Sequence, residues 1–374
     1  MTRILPVFGM IAASLAMVSC VNRQYQFTPS PIPSSAVASV DTLKQSVQCY
    51  TAHSRVQAIN FCQGQLNAVA PSFAIDVQYD KAVNEMGSIA QELLDSGLAV
   101  AMEMENTGNR IIFTPEYSDC VLMLRAHRQT VFFETLPQDT QKALRKAQQL
   151  VVEVCTRYGS EYERAVALHD YIACNTRYES RLGIAAQANA TTKLLLEGIA
   201  VCDGYAHAYG LLLSMAGIDN RFVVGKGDDV EHIWNMAKLK GQWVHIDVTY
   251  DDPKPDKQGR VLHSYFGMSD SRIASNHQWK RSDFPRAGSD ALYHPFYMGY
   301  RFSTAAEMLH WAAAQRVGYP WGITVYVDEL SRVRSESAAH ARLQDAADSI
   351  GVDNLQAVAL DKGCRGAVYC SFNY

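Results

Sequence analysis

The chain has 374 residues, 48% of them hydrophobic and 19% charged, with a formal net charge of −4. That length supports more than one core, and the slight acidic balance gives no basic excess for nucleic acid or an anionic membrane surface. The sequence carries no paired Cys-x-x-Cys zinc spacing, no His-Glu-x-x-His and no phosphate-binding glycine loop, so it implies neither a metal nor a cofactor.

Met1-Thr2-Arg3 gives a short positive start, Ile4 to Met17 is mostly apolar, and Val18-Ser19-Cys20 places small residues before a cysteine. The apolar stretch is too short for a comfortable transmembrane helix and has the form of a secretory signal. With Met17 at the usual leucine position, it resembles a bacterial lipoprotein signal and its lipobox. Residues 1–19 are then expected to be removed and Cys20 to carry lipid, with 20–40, rich in Pro and Ser, as a tether. The resemblance implies a membrane partner through that lipid and an extracytoplasmic body. An ordinary cleaved signal with an incidental cysteine is the alternative.

The body divides at the sequence level into 41–130, 131–290 and 291–374. In the first part, 41–69 reads as helix, Ser72 to Gln78 as strand, 82–96 as helix, and 98–105 and 109–114 as strands. In the last, 304–316 reads as helix, Gly322 to Val327 as strand, 335–350 as helix, and 354–360 and 366–373 as strands. Each flank has the order helix-strand-helix-strand-strand, which suggests two small α/β modules around a central core.

The central part holds the chemistry. Cys202 lies in Gly198-Ile199-Ala200-Val201-Cys202-Asp203-Gly204-Tyr205-Ala206, and Ala206, Tyr209, Leu212, Leu213 and Ala216 follow at helical spacing up to a stop at Gly217. The cysteine is thus expected at a helix N-terminus, where free N–H groups and the dipole favour a thiolate. Gly204 suits close approach of a substrate carbonyl. His232 and Asp247 fall on two β-prone segments, 230–238 and 242–250, joined at Lys240-Gly241. A two-residue turn places His232 opposite Thr249 with Asp247 diagonal to it. A four-residue loop, 238–241, places the two directly opposite. Either leaves both side chains on one face. A thiol, an imidazole and a carboxylate are the parts of covalent acyl transfer by an activated nucleophile.

Gly-x-x-Val-Cys-Asp-Gly-Tyr-Ala at 198–206, His-x-Trp-Asn at 232–235 and Trp-x-His-x-Asp-x-Thr-x-Asp-Asp-Pro at 243–253 together resemble the core of the transglutaminase-like superfamily. Tyr265-Phe266-Gly267-Met268-Ser269-Asp270, His277-Gln278-Trp279 and the helix around Ala165 to Tyr178 resemble its bacterial version, so the likeness covers roughly 140–285. The resemblance implies an α+β fold in which a nucleophile helix packs on an antiparallel sheet, as in papain-like enzymes. It implies Cys202 as nucleophile, His232 as base and Asp247 as orienting acid, acting on a protein or peptide substrate. Hydrolysis and acyl transfer both stay open, as does a catalytically silent scaffold or binding module. The N–H of Cys202 is the first oxyanion donor, and the sequence assigns no second.

Several residues have plainer readings. His245 shares the face of Asp247 and is a rival base; His207 is a possible second polar group in the site. Trp234 and Trp243 read as packing in half-buried strands, Asp203 and Asp251 as turn or capping groups, and Asp228, Asp229 and Glu231 as a solvated loop that could alternatively receive an amine. Nine cysteines leave Cys49–Cys62 and Cys364–Cys370 as possible pairs, against a majority of buried free thiols.

Overall fold

A computed structural model describes residues 48–67, 70–79, 89–90, 93, 99–128, 133–179, 189–252, 261–314, 323–333, 335–351, 355–359 and 364–372. The signal segment, Cys20, the tether and most of the helix expected over 82–96 lie outside these residues.

The N-terminal sheet consists of β1 (Gln48–Ala52), β2 (Phe73–Val77), β3 (Ala99–Thr107) and β4 (Arg110–Tyr117), in the order β1-β2-β4-β3. β1 was expected to be helix. The helix instead begins at Arg55, because Gln48 to Ala52 pair in parallel register with β2 over its full length, and that pairing outweighs local propensity. Cys62 of the helix, Phe73, Ile75 and Phe113 form the centre of a small apolar core.

Two short strands, β5 (Arg177–Tyr178) and β6 (Ile199–Ala200), pair in parallel just ahead of Cys202. The helix leading to β5 is Glu161–Asn175, started by a capping box in which Ser160 and Glu163 exchange bonds. It ends before Tyr178, because Arg177 N–H donates to the Gly198 carbonyl (2.7 Å) and draws the chain into the extended pair.

The central sheet is antiparallel throughout. β7 (Asn220–Gly227), β8 (Val230–Leu239), β9 (Gln242–Ile246), β10 (Phe266–Met268) and β11 (His277–Trp279) lie in the order β10-β9-β8-β7-β11. The Cys202–Met215 helix packs on β8 and is enclosed by helices Asp119–His127, Glu161–Asn175 and Ala190–Glu197. Its Tyr205, Tyr209, Leu211 and Leu212 are fully buried. This is the expected α+β arrangement, with the Cys202 helix on an antiparallel sheet.

The C-terminal sheet consists of β12 (Arg301–Phe302), β13 (Ile323–Val327), β14 (Leu355–Ala359) and β15 (Ala367–Phe372), in the order β12-β13-β15-β14. Its pairing repeats the N-terminal sheet: a parallel first pair, then two antiparallel ones. The two-residue β12 has no sequence signal of its own. Arg272 joins this sheet to the core. Its guanidinium lies over Tyr293 (4.1 Å), Phe296 (5.0 Å) and Tyr326 of β13 (5.2 Å) and bonds to Asp290 at 2.8 Å.

The described cysteines are free thiols, so neither anticipated pair forms. Cys62 is buried while Cys49 is exposed on β1. Cys364 donates to the Ser264 carbonyl, and Cys370 lies 3.3 Å from Met308 Sδ in the C-terminal core.

One buried carboxylate, Asp119, holds the helices around Cys202 in register. The helix Ala190–Glu197 has no side-chain cap of its own. Asp119, at the start of another helix, accepts N–H bonds from Thr191 and Thr192, and also from Cys120. An N-terminus is thereby capped from a distant segment. Asp119→Ala is expected to lower stability by about 2–3 kcal/mol, and Asp119→Asn, which keeps one acceptor oxygen, by less. Urea denaturation of the two variants beside the parent checks this.

Candidate active site

Cys202 is the first residue of its helix, following Val201 in extended conformation, and no side chain caps that end. The first-turn N–H groups are therefore left for other partners, and the dipole favours an anion there. The thiol is half-buried. Gly204 has a different role from the one expected. A Cβ there would lie 2.7 Å from Ala200 Cβ and 3.2 Å from the Ala190 carbonyl, so the glycine lets the helix start press against β6 and its neighbour helix.

His232 sits on β8, whose turn to β9 is the two-residue Lys240-Gly241, with φ of 49° and 78°. Both positive values mark a tight hairpin turn. The register runs from Leu239↔Gln242 to Asn235↔Ile246. Of the two loops open to the sequence, the shorter is the one found. β9 ends at Ile246, however, and Asp247 becomes the N-cap of a short helix, Val248–Asp251, accepting from Tyr250 N–H. Asp247 thus meets His232 by leaving the sheet. His232 Nε2 lies 2.6 Å from Asp247 Oδ2, which leaves Nδ1 free of that carboxylate, and Cys202 lies close enough to help favour the charged imidazole. Asn235 Nδ2 donates to the Ala206 carbonyl at 3.1 Å, tying β8 to the helix one turn beyond Cys202.

Burial opposes charge on His232, but Asp247 and the bond to Cys202 outweigh it and raise the imidazole to about 10. Burial likewise opposes charge on Asp247, yet His232 and His277 hold it well below the usual carboxylate range. The stable combination is a carboxylate and an imidazolium, the partner an adjacent thiolate needs.

Two contributors were not assigned roles from the sequence. His277, on β11, places Nε2 3.0 Å from the same Asp247 Oδ2. The His277-Gln278-Trp279 motif was visible, but nothing in it pointed 30 residues back in the chain. Tyr178, on β5, has its phenol raised by burial and then by the negative charges of Cys202 and Asp247. It stays a neutral O–H donor beside the site.

The rival residues are otherwise engaged. His245 is fully buried, with Nδ1 accepting from Trp234 Nε1–H (3.0 Å) and Nε2 2.9 Å from Asp270. His207 lies one turn along its helix, 2.9 Å from Asp203. Trp234 packs beside His232, their rings stacked at 5.9 Å, and Trp243 lies under Arg221. Asp251 is no surface cap. It is wholly buried and bonds to Ser264 Oγ–H, Tyr265 N–H and His169. In the acidic run, Asp228 and Asp229 accept from Tyr250 Oη–H and Gln278 Nε2–H, leaving Glu231 exposed.

Among the described residues two groups bring three metal-capable atoms within 4.8 Å of one another: His232, Asp247 and His277, and His169, Asp170 and His263. In both, the ring nitrogens already contact the carboxylate, at 2.6 and 3.0 Å in the first and 2.9 and 2.8 Å in the second. At these distances each ring nitrogen can donate a hydrogen bond to the carboxylate.

Residues 148–248 match the family model of the Transglutaminase-like superfamily. Among curated proteins, the peptide-N(4)-(N-acetyl-beta-glucosaminyl)asparagine amidase of Caenorhabditis briggsae is 41% identical over 61 residues, which are 16% of this chain and 10% of that protein. The chain therefore spans a small part of that relative's length. Among solved structures, one of a TGase has 15% identity over 56% of this chain and 61% of that one, with a TM-score of 0.27. The periplasmic domain of TgpA from Pseudomonas aeruginosa has 18% identity over 38% of this chain and 53% of that one, with a TM-score of 0.26. The α+β chain is thus similar, over 148–248, to the core of the transglutaminase-like superfamily.

Proposed function

We propose that the protein is a thiol-dependent enzyme cleaving peptide or amide bonds, with hydrolysis favoured over transfer to an amine. The observation that carries this reading is His232 bonded to Asp247 at 2.6 Å, with Cys202 beside it as the first residue of a helix. The Cys202 thiolate adds to the carbonyl carbon, and the resulting oxyanion takes a hydrogen bond from the Cys202 N–H. The C–N bond breaks as imidazolium His232 protonates the leaving amine, leaving a thioester on Cys202. His232, now neutral, removes a proton from water, whose oxygen attacks the thioester and releases the acid and the thiolate. Asp247 keeps the imidazole aimed throughout. The similarity to the curated amidase supports amide chemistry.

The preference for water rests on its constant availability, whereas transfer needs a site that excludes water and orients an amine. A silent binding module is the second reading, favoured only by the half-buried state of the thiol. The proposed place of action is the cell envelope, with the body held by lipid on Cys20, on the strength of the 1–40 segment alone. Cys20→Ser should move the protein from the membrane pellet to the soluble fraction; unchanged partitioning would refute lipid anchoring there.

Cys202→Ala is expected to abolish amide cleavage with the fold intact. His232→Ala should lose nearly as much, and Asp247→Asn about 10⁴-fold if it leaves the imidazole mis-aimed as in other triads. Steady-state assays on a peptide library, with a labelled primary amine in a parallel arm, check both the ranking and the acceptor. Amine incorporation without cleavage would replace hydrolysis by transfer.

The raised His232 sets a pH test. The imidazolium is present below about 10 and is lost as pH rises through that value, so its support of a thiolate ends there. Iodoacetamide should alkylate Cys202 faster in the parent than in His232→Ala at neutral pH, and the two rates should converge above that value. A constant ratio across the range contradicts the ion pair.

A further inference from the structure

We infer that His277 is a positioning residue of the same site: by donating Nε2–H to Asp247 Oδ2 it locks the carboxylate that aims His232. This deepens the triad reading and rests on it.

Asp247 has two oxygens to fix. Oδ1 accepts from Tyr250 N–H at 3.2 Å. Oδ2 receives His232 Nε2 at 2.6 Å and His277 Nε2 at 3.0 Å. A carboxylate accepts several bonds, so the second imidazole adds a constraint without displacing the first. Without it, Oδ2 is held only by the imidazole it is meant to orient, and the pair can swing together. All three side chains are buried, with Asp247 and His277 each 1% exposed, so water is poorly placed to substitute.

His277 is itself held. Nδ1 lies 2.8 Å from Asn276 Oδ1, and Asn276 Nδ2 donates to Tyr265 Oη and Asp228. The ring also meets Trp234 edge-on at 4.9 Å and packs against Tyr250 at 4.8 Å. Its strand comes close because β7 carries glycine where it passes. A Cβ on Gly225 would lie 2.1 Å from the Gln278 carbonyl, and one on Gly227 2.7 Å from Tyr250 Oη and 3.1 Å from His232. β11 pairs with these glycines, His277 opposite Gly227. The Gly-x-Gly of β7 therefore admits both histidines to one carboxylate. His277 is too deep to touch substrate, so its effect must pass through Asp247.

The test is a double-mutant cycle read by the second-order rate of Cys202 alkylation with iodoacetamide at pH 7, with far-UV circular dichroism as a folding check. His277→Ala is expected to slow alkylation about tenfold, the loss of one charge-assisted bond. His277→Gln, which keeps an N–H donor, should recover most of that rate. In an Asp247→Asn background His277→Ala should cost nothing more, because its route is already cut. A purely structural role gives additive losses and no rescue by Gln. Additivity, a failed rescue in a folded Gln variant, or a parental rate in His277→Ala overturns the inference. If Asp247→Asn itself alkylates like the parent, the triad reading has failed, and the inference with it for a distinguishable reason.

Discussion

A carboxylate removed from water and still ionised is the constraint on which the rest of the site depends. Asp247 is buried, and burial alone would drive a proton onto it. It remains an anion because two imidazoles and a backbone N–H supply bonds to it. The same anion keeps His232 charged. The requirement then passes outward to the backbone. β9 must end at Ile246 so that Asp247 leaves the sheet as an N-cap, and the turn at Lys240-Gly241 must be two residues so that β8 and β9 stay in register. Tyr205 Oη–H bonds to Asp252 just beyond that helix, and Asn235 bonds to Ala206. Both bonds tie the carboxylate end of the sheet to the helix bearing the thiol.

Much of this was legible because it is local. The helix after Cys202, its stop before Gly217 and the hairpin turn each have a residue-level signal within a few positions. So do the helices and strands of the C-terminal module, found at Ala305–Ala314, Ile323–Val327 and Glu336–Ile350. What escaped is set by partners far along the chain. β1 is a strand because β2 lies beside it, and β12 because β13 does. Asp119 caps a helix some 70 residues away. Asp251 looked like a turn residue from its neighbours, yet it is a buried acceptor for His169, 82 residues earlier. His277 belongs to the same class. Its motif was visible, but its target was not.

The outer sheets share one strand order, and the C-terminal sheet is bound to the core through Arg272 and the aromatic rings around it. A second buried network lies behind the site. His169 is raised to about 9, burial opposing the charge and Asp170 and Asp251 overcoming it. Asp251 ends the short helix capped by Asp247, so one turn of chain joins Asp247 to a charged pair on the Glu161–Asn175 helix. That helix leads directly into β5 and Tyr178. The site is thus braced on both sides by paired imidazoles and carboxylates.

The central claim is that Cys202 carries an acyl group between donor and acceptor. Rapid-quench mass spectrometry of the protein mixed with an activated peptide ester tests it most directly. A transient adduct on the Cys202 peptide, released by hydroxylamine and absent from His232→Ala, is the predicted result. An adduct on another cysteine, or none while the folded protein still alkylates at Cys202, would contradict it.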